Sequence, residues 1–488
     1  MAVRAAVGSD RGFSPRHADR LELLVVAVFG LLGLRIGLRP ISDNSAFVHI
    51  RTGIEITRNW RVPTADPYSF TAFGHPWVVQ SWFASVLYGV AYRVGGALFG
   101  AGARMHTLVV FEGLLMAALG AVVARLARTG IAVRTMATAG IATLLGAIYW
   151  SPRPLIFGLL SLALLITTVE AEASPLWLVP IAWVWVNTHG SFPLGIAWLL
   201  AVVVGRTVDF RRPDGASIRY LIWFAGGCVL GSVNPVGPRL LTFPLTVQSK
   251  ASVFKNVVEW HSPNFQTTDG IAALVLLALA LLVICRARLV WADTLSVVGF
   301  VALALLSLRN VAPAAVVLAP VLGRALRPGI VSASAGMPDP LRDRLNRAVT
   351  AVLAVIALLL GVLSVRTSGL DLSTYPVQAA DWMGSRGLLD PTQHRVAAQD
   401  IVGCYLILIR GRVGRVFVDD RVDMYPVSVS RDYDALLHGA ANSADILRRY
   451  GVDVVLWDRR LPLVEVLTGA GGWRVSYQDV RWAVLTRN

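Results

Sequence analysis

The chain has 488 residues, of which 55% are hydrophobic and 15% are charged. A soluble domain usually carries about a quarter charged residues, so this composition excludes an ordinary soluble protein and predicts a polytopic membrane protein. The net charge of +15 comes almost wholly from arginine, because Lys250 and Lys255 are the only lysines. The arginines cluster between apolar runs, which is the pattern of the positive-inside rule and not of a nucleic-acid surface. The distant cysteines Cys228, Cys285 and Cys404 predict neither a disulfide framework nor a metal cluster.

The first apolar run sets the orientation of the chain. Residues 1–20 carry four arginines, which predicts a cytoplasmic N-terminal tail. The run at about 21–38 has no small-residue cleavage site after it, so it is interpreted as a retained span and not as a signal peptide. Residues 39–78, the first loop, are then predicted to lie on the outer face.

Ten further apolar runs have roughly the length of a membrane span. They lie near 106–124, 133–150, 153–170, 174–188, 191–205, 217–233, 271–285, 291–308, 311–324 and 348–366. With about eleven transmembrane helices between residues 21 and 366, the arginine-rich segments 125–134, 206–219, 286–288 and 324–347 all fall inside. The sequence therefore predicts a multi-pass protein of the inner (plasma) membrane.

Residues 78–100 form one more apolar run, which would make a twelfth span. Counting it as a span would place the basic segments outside, and Arg93 interrupts it after about a dozen apolar residues. We therefore interpret residues 79–98 as an interfacial or re-entrant helix of the outer leaflet.

The C-terminal 122 residues, 367–488, have an ordinary soluble composition and are extracytoplasmic by the same parity. Short β-rich runs at 395–400, 414–420 and 452–457 alternate with helical candidates near 376–387, 432–438, 443–450 and 461–469. This alternation predicts a small α/β domain with a mostly parallel sheet.

Most of the chemically interesting residues near span ends fall on the outer face under this topology. The candidates for binding a donor phosphate or another part of a substrate are Arg153, Arg309, His49, Arg51, Asp66, Gln80, Asn187, His189, Asn234, Glu259 and His261. Their convergence on one face, beside so much apolar scaffold, is the main sequence argument for a functional site there.

Asp43 lies about five residues beyond the first span. A carboxylate at the membrane surface can deprotonate an acceptor hydroxyl as a general base. The alternative is that Asp43 caps a helix that starts near Asn44. Similar alternatives hold for Arg153 and Arg309, which either snorkel to the interface or bind a phosphate. The many tryptophans are either interfacial belt residues or stacking platforms for a sugar ring.

A metal site is conceivable from Asp43, His49, Asp66, His189 and His261. No HxxxH, HExxH or CxxC spacing supports one, however, so no cofactor is predicted and a divalent cation stays an unsupported alternative.

Nine short features together resemble bacterial GT-C-fold glycosyltransferases that use polyprenyl-phosphate sugars, in particular relatives of protein mannosyltransferases and arabinofuranosyltransferases. They are Asp43, HIRTG (49–53), DPYSFTAFGHPWV (66–78), Arg104, SPRP (151–154), NTHGSF (187–192), NPVGPRLLTFPL (234–245), VEWHSPNF (258–265) and VFVDDRVDMY (416–425). Each is short, and only the ensemble, which spans nearly the whole chain, is specific.

The resemblance implies inverting transfer of a sugar from a polyprenyl-phosphate donor to a hydroxyl of a glycan, lipid or protein acceptor of the cell envelope. It also implies that Asp43 is the general base and that Arg309 or Arg153 binds the donor phosphate. One departure is that Asn44, and not a second acidic residue, follows Asp43. This departure weakens both a paired-acid mechanism and metal dependence.

Two other classes of function stay open at this stage. A lipid or solute transporter would carry ionisable or broken segments near the bilayer midplane and an internal repeat, whereas here the charges lie at one face and no repeat is visible. A non-catalytic envelope scaffold is compatible with the same sequence.

Overall fold

The computed structural model describes residues 20–250, 257–327, 348, 351–353, 355–363 and 369–488. Within these ranges, thirteen α-helices lie before residue 327. They are α1 (Arg20–Gly37), α2 (Asn44–Asn59), α3 (Trp82–Phe99), α4 (Arg104–Leu126), α5 (Ala132–Ala147), α6 (Leu155–Glu170), α7 (Leu178–Thr188), α8 (Pro193–Phe210), α9 (Gly215–Leu230), α10 (Arg239–Ser249), α11 (Thr268–Arg286), α12 (Trp291–Leu306) and α13 (Val311–Ala325).

A helix lies at each of the first ten predicted spans, and α3 lies at the predicted interfacial helix. The eleventh predicted span, 348–366, falls partly outside the described residues, and its residues 351–353 and 355–363 are helical. In the described part of the chain, three helical segments are both long and apolar enough to cross a membrane, namely 101–126, 193–210 and 268–286. Crossing by the other, shorter helices stays a prediction.

Small residues allow the N-terminal helices to approach closely. Between α1 and α4, a Cβ on Gly33 would lie 2.1 Å from the carbonyl oxygen of Met116. Between α2 and α3, a Cβ on Gly53 would lie 1.7 Å from the carbonyl oxygen of Ser85. The contact between α1 and α4, which lie at predicted spans, is typical of helix packing inside membranes, where apolar surface alone gives little driving force.

The C-terminal region, residues 369–488, forms a small domain of helices and one mixed sheet. Its elements are α14 (Val377–Ser385), β1 (Val396–Ala398), α15 (Asp400–Arg410), α16 (Val427–Leu437), α17 (Ser443–Arg449), β2 (Val454–Asp458), α18 (Pro462–Gly469), β3 (Trp473–Gln478) and β4 (Trp482–Arg487). The strand order is β1-β2-β4-β3. Only β1 and β2 pair in parallel, so the predicted mostly parallel sheet is wrong.

Residues 414–420 were the second predicted strand, and they do not join this sheet. Instead, Val416 forms a single parallel bridge with Ser69 of the first loop. Its backbone N–H donates to the Tyr68 carbonyl oxygen at 2.8 Å, and its own carbonyl oxygen accepts from Phe70 at 3.0 Å. A second bridge joins Ile41 to Leu370. The C-terminal region therefore docks on the first loop through main-chain hydrogen bonds.

Candidate functional site

A cavity of about 460 Å³ lies where the first loop, the ends of several apolar helices and the C-terminal region meet. The start of α2 contributes residues 44, 45, 48 and 49, and the segment before α3 contributes 77–81. Later segments contribute 153–155, 189, 243, 247, 257–260 and 309. The C-terminal region contributes Asp400 and the segment Asp420–Asp423. Six of the predicted site residues therefore line one cavity: His49, Gln80, Arg153, His189, Glu259 and Arg309.

Arg153 lies between two carboxylates. Its Nε donates to Oδ2 of Asp43 at 2.5 Å, and its Nη1 donates to Oε1 of Glu259 at 2.6 Å. Burial acts to lower the pKa of Arg153, but the two carboxylates prevail and raise it above the usual value. Arg153 is thus a fixed cation whose charge is largely compensated by protein groups.

Asp43 supports this ion pair from the N-terminus of α2. Its Oδ1 accepts from the backbone N–H groups of Ser45 at 3.0 Å and Ala46 at 3.4 Å. Asp43 is therefore the N-cap of α2, as the capping alternative predicted. Asp43 is not one of the described residues that line the cavity. It contacts the site through its ion pair with Arg153.

Arg309 is the contrasting cation. It lies in the short turn Leu308–Asn310, before α13, with its guanidinium carbon 4.4 Å from the ring centre of Trp260. Within the described ranges its guanidinium makes no hydrogen bond and no salt bridge. Burial lowers the pKa of Arg309, Glu259 opposes this shift, and Arg153 adds to it. An arginine that lines a cavity without a paired carboxylate is suited to bind an anion.

Two histidines and one amide complete the wall around the arginines. His49 Nδ1 lies 3.0 Å from Ser85 Oγ, and His189 Nδ1 lies 2.8 Å from Ser191 Oγ. Burial and the nearby Arg153 and Arg421 lower the pKa of His49 to about 4. Burial, Arg309 and His49 lower the pKa of His189 to about 3, so both rings are neutral at pH 7. Gln80 has a buried Nε2 with no hydrogen-bond partner in the described part of the chain, which leaves a donor for a ligand.

The acidic loop, residues 419–423 with the sequence DDRVD, forms the opposite wall. Arg421 is only 7% exposed, and its Nη2 bonds Oδ2 of Asp419 at 2.6 Å and Oδ1 of Asp66 at 2.8 Å. Its guanidinium also lies over the rings of Tyr68 and Trp77. Asp66 is therefore an anchor for the acidic loop beneath the cavity and does not line it.

Asp420 faces the cavity and is held weakly. Its Oδ2 accepts from Asn44 Nδ2 at 3.4 Å, and its Oδ1 lies 3.6 Å from the Cys404 thiol. Burial, then the carboxylates of Asp419 and Asp43, raise the pKa of Asp420 to about 7, although Arg153 opposes the shift. A carboxyl group with this environment titrates near neutral pH.

Four predicted site residues have local structural roles outside the cavity. Arg51 pairs with Glu55 at 3.1 Å. Asn187 accepts from Trp82 Nε1 at 2.7 Å and donates to two carbonyl groups. Asn234 Oδ1 accepts from two backbone N–H groups of its own turn. The carbonyl oxygen of His261 accepts from the backbone of residue 308 at 3.0 Å.

Sequence reasoning missed the carboxylates of the C-terminal region, namely Asp400, Asp420 and Asp423. The signal was present in the charged motif VFVDDRVDMY, which contributed to the family resemblance without entering the set of site residues. Among the described residues, no group of three or more His, Cys, Asp or Glu side chains is arranged to hold a metal ion.

Comparison with known proteins shows the fold. No family model and no curated protein sequence matches the chain. The crystal structure of the Archaeoglobus fulgidus oligosaccharyltransferase in its apo form matches with a TM-score of 0.53 and 12% identity, over 90% of this chain and 70% of that chain. Another match is the archaeal oligosaccharyltransferase AglB from the same organism, in complex with an inhibitory peptide and a dolichol-phosphate, with a TM-score of 0.48, 11% identity and coverage of 90% and 69%. The first match confirms the predicted GT-C fold.

Proposed function

We propose that the protein is a membrane glycosyltransferase that transfers a sugar from a polyprenyl-phosphate donor to a hydroxyl group of a cell-envelope acceptor. The observation that carries this proposal is Arg309, a cation in the cavity wall that has no paired carboxylate in the described part of the chain. A phosphate is the anion that a lipid-linked sugar donor would present at the end of the apolar helices. Its negative charge increases as the sugar leaves, so a guanidinium there stabilises the transition state.

The donor side of the cavity is then the wall with Arg309, Arg153 and Glu259. Arg153 is already compensated by two carboxylates, so it orients the site more than it attracts the donor. The indole of Trp260, which already stacks on Arg309, and the free amide donor of Gln80 are suited to a sugar ring with its hydroxyl groups. A single displacement at the anomeric carbon in this site would invert its configuration.

The proposed topology has residues 21–366 as the transmembrane domain, with the first loop 39–78 and residues 367–488 on the outer face. The predicted cytoplasmic tail, residues 1–20, lies outside the described residues except for residue 20. The ion pair between Asp43 and Arg153 supports a topology with residues 43 and 153 on the same face of the membrane. Crossings by α4 and α5 return the chain to that face. A third crossing by α3 would separate the pair, which supports an interfacial α3. The bridges between the first loop and the C-terminal region likewise favour one outer face for both.

The test is a transfer assay with purified protein, radiolabelled decaprenyl-phosphate arabinose or mannose, and a cell-envelope glycan fraction as acceptor. We expect transfer by the wild-type protein and a loss of about 10²–10³-fold in kcat/KM for Arg309→Ala, because one charge-stabilising group is removed.

The matched control is Arg386→Ala. Arg386 also stacks on a tryptophan, at 4.2 Å from the ring centre of Trp382, but it is exposed in the C-terminal region away from the cavity. Its removal should leave transfer unchanged. Equal activity of the two variants would contradict the proposal. Donor binding by the wild-type protein without transfer would also contradict it and would favour a transporter.

A further inference from the structure

The site contains two carboxylates, Asp43 and Asp420, that lie close to the start of α2, and the contacts of the two differ. We propose that Asp420 of the acidic loop is the catalytic general base that takes the proton of the acceptor hydroxyl, and that Asp43 is a positioning residue that acts through Arg153. This inference rests on the proposed glycosyl transfer. It assigns the proton transfer to a part of the chain that lies 376 residues from the first loop in sequence.

Asp43 does not line the cavity, and both of its oxygens already have protein partners. Oδ1 accepts two backbone N–H bonds at the start of α2, and Oδ2 forms the 2.5 Å contact with the cation Arg153. An acceptor hydroxyl at Asp43 would therefore compete with the helix cap or with the ion pair. Removal of the ion pair would also release Arg153 and change its position against Glu259.

Asp420 lines the cavity and keeps both oxygens available. Its two side-chain contacts are long, at 3.4 Å to the Asn44 amide and 3.6 Å to the Cys404 thiol, and neither partner is charged. The Asn44 amide orients the carboxylate without neutralising it. Asn44 directly follows Asp43 in the sequence, so the start of α2 holds Asp420 close to Asp43 and Arg153.

The neighbours of Asp420 also suit a proton acceptor. Burial and the carboxylates of Asp419, Asp43 and Asp400 raise its pKa, Arg153 acts in the opposite sense, and the result is a value of about 7. General bases work best when their pKa lies near the working pH. Asp419 itself is bound to Arg421 and to the Tyr425 hydroxyl, so it is not available for the same role.

The step balances as follows. The acceptor oxygen attacks the anomeric carbon of the donor, and its proton passes to a carboxylate oxygen of Asp420. The bond between the anomeric carbon and the phosphate oxygen breaks, and its electron pair leaves with the polyprenyl phosphate, whose added negative charge faces the arginine wall. The protonated Asp420 then releases its proton to water as the products depart.

The test compares Asp420→Asn with Asp43→Asn in the transfer assay across pH 5–9. For Asp420→Asn we expect a fall in kcat of roughly 10²–10⁴-fold. We also expect loss of the limb of the wild-type profile that rises with pH towards about 7. Asp43→Asn should lose less activity and keep the rising limb, because asparagine still caps α2 and Asp420 is intact. Asp432→Asn, at a carboxylate bonded to Arg449 and Tyr450 away from the cavity, should resemble the wild-type protein.

Binding of decaprenyl phosphate checks that each variant is folded, and we expect Asp420→Asn to bind it with nearly wild-type affinity. Should Asp420→Asn misfold, Asp420→Glu, which keeps the carboxylate, is the second variant and should retain the rising limb with a shifted midpoint. The inference is overturned if Asp420→Asn keeps the wild-type kcat and pH profile, or if only Asp43→Asn loses the rising limb. In either case the proposed transfer by the wild-type protein would still hold. Absence of transfer by the wild-type protein would instead overturn the proposed function and the inference together.

Discussion

The two walls of the cavity carry opposite charges and come from different parts of the chain. The wall between the apolar helices presents Arg153 and Arg309, whereas the wall from the C-terminal region presents Asp400, Asp420 and Asp423. Each wall also contains one residue of the opposite charge, but both are paired within their own wall, Glu259 with Arg153 and Arg421 with Asp419. The difference indicates that docking of the C-terminal region on the first loop would complete the chemistry of the site.

The two walls are also held in different ways. The basic wall relies on a partly buried chain of ion pairs from Asp43 through Arg153 to Glu259. The acidic wall relies on a buried pair, Arg421 with Asp419, joined to Asp66 of the first loop. Removal of one partner from a buried pair costs far more than removal of one from an exposed pair, because the remaining charge stays uncompensated in a poorly solvated place.

Asp419→Ala is the change that should disrupt the acidic wall most. It leaves the buried Arg421 with Asp66 alone and removes the partner of the Tyr425 hydroxyl at 2.7 Å. We expect a loss of about 3–5 kcal/mol in the free energy of unfolding of the C-terminal region. Thermal unfolding in detergent and hydrogen exchange of residues 416–425 would measure it.

The matched control for that change is Asp445→Ala, which removes the exposed pair with Arg448 at 3.0 Å. Its expected cost is only about 0–1 kcal/mol. Similar losses for the two variants would mean that the buried pair does not anchor the acidic loop.

Gly53→Ala tests the support of the other side of the cavity. The added Cβ would lie 1.7 Å from the Ser85 carbonyl oxygen, so α2 and α3 must separate, and His49 must move relative to Ser85. Overpacking of this kind costs roughly 1–3 kcal/mol. The measurement is the melting temperature together with the transfer rate.

Gly226→Ala provides the comparison, because Gly226 lies within α9 and a Cβ there would meet no atom within 4 Å. It should be neutral or slightly stabilising, since alanine favours a helix more than glycine does. A Gly53→Ala protein that melts and works like Gly226→Ala would show that the close helix contact is dispensable.

Hydropathy and charge parity were enough to place the helices and to select six cavity residues, because burial of apolar surface and the side preference of arginine are properties of local sequence. Asn187 and Asn234 lie outside the cavity for a local reason. A polar side chain at a helix end commonly satisfies nearby backbone groups, and this is what both amides do.

Asp420 could not be placed from sequence, since its neighbours depend on docking between distant segments. The run 414–420 has strand-like residues, yet its backbone partner is the first loop and not the sheet. The sheet itself was predicted incorrectly because β3 and β4 were overlooked. The available signal for an antiparallel hairpin was the alternating apolar pattern of β3, followed by the short turn at 479–481 and the apolar run that starts β4.

The smallest expected effect concerns the stability cost of Asp420. Its pKa is raised in the folded protein from 3.8 to about 7, so the folded state holds a proton that the unfolded state has released between these values. The contribution of the Asp420 carboxyl group to the free energy of unfolding is therefore fully present below about pH 4 and is lost as the pH rises through about 7. Asp420→Asn removes the titration. The variant and the wild-type protein should have the same free energy of unfolding near pH 4. Above pH 7 the variant should be more stable by on the order of 1 kcal/mol, after screening by water in the cavity, and its melting temperature should be higher. A difference between the two proteins that stays constant from pH 5 to pH 8 would contradict the raised pKa. A difference that grows with pH would mean that the acidic wall is maintained at the expense of stability, as is common for groups kept for function.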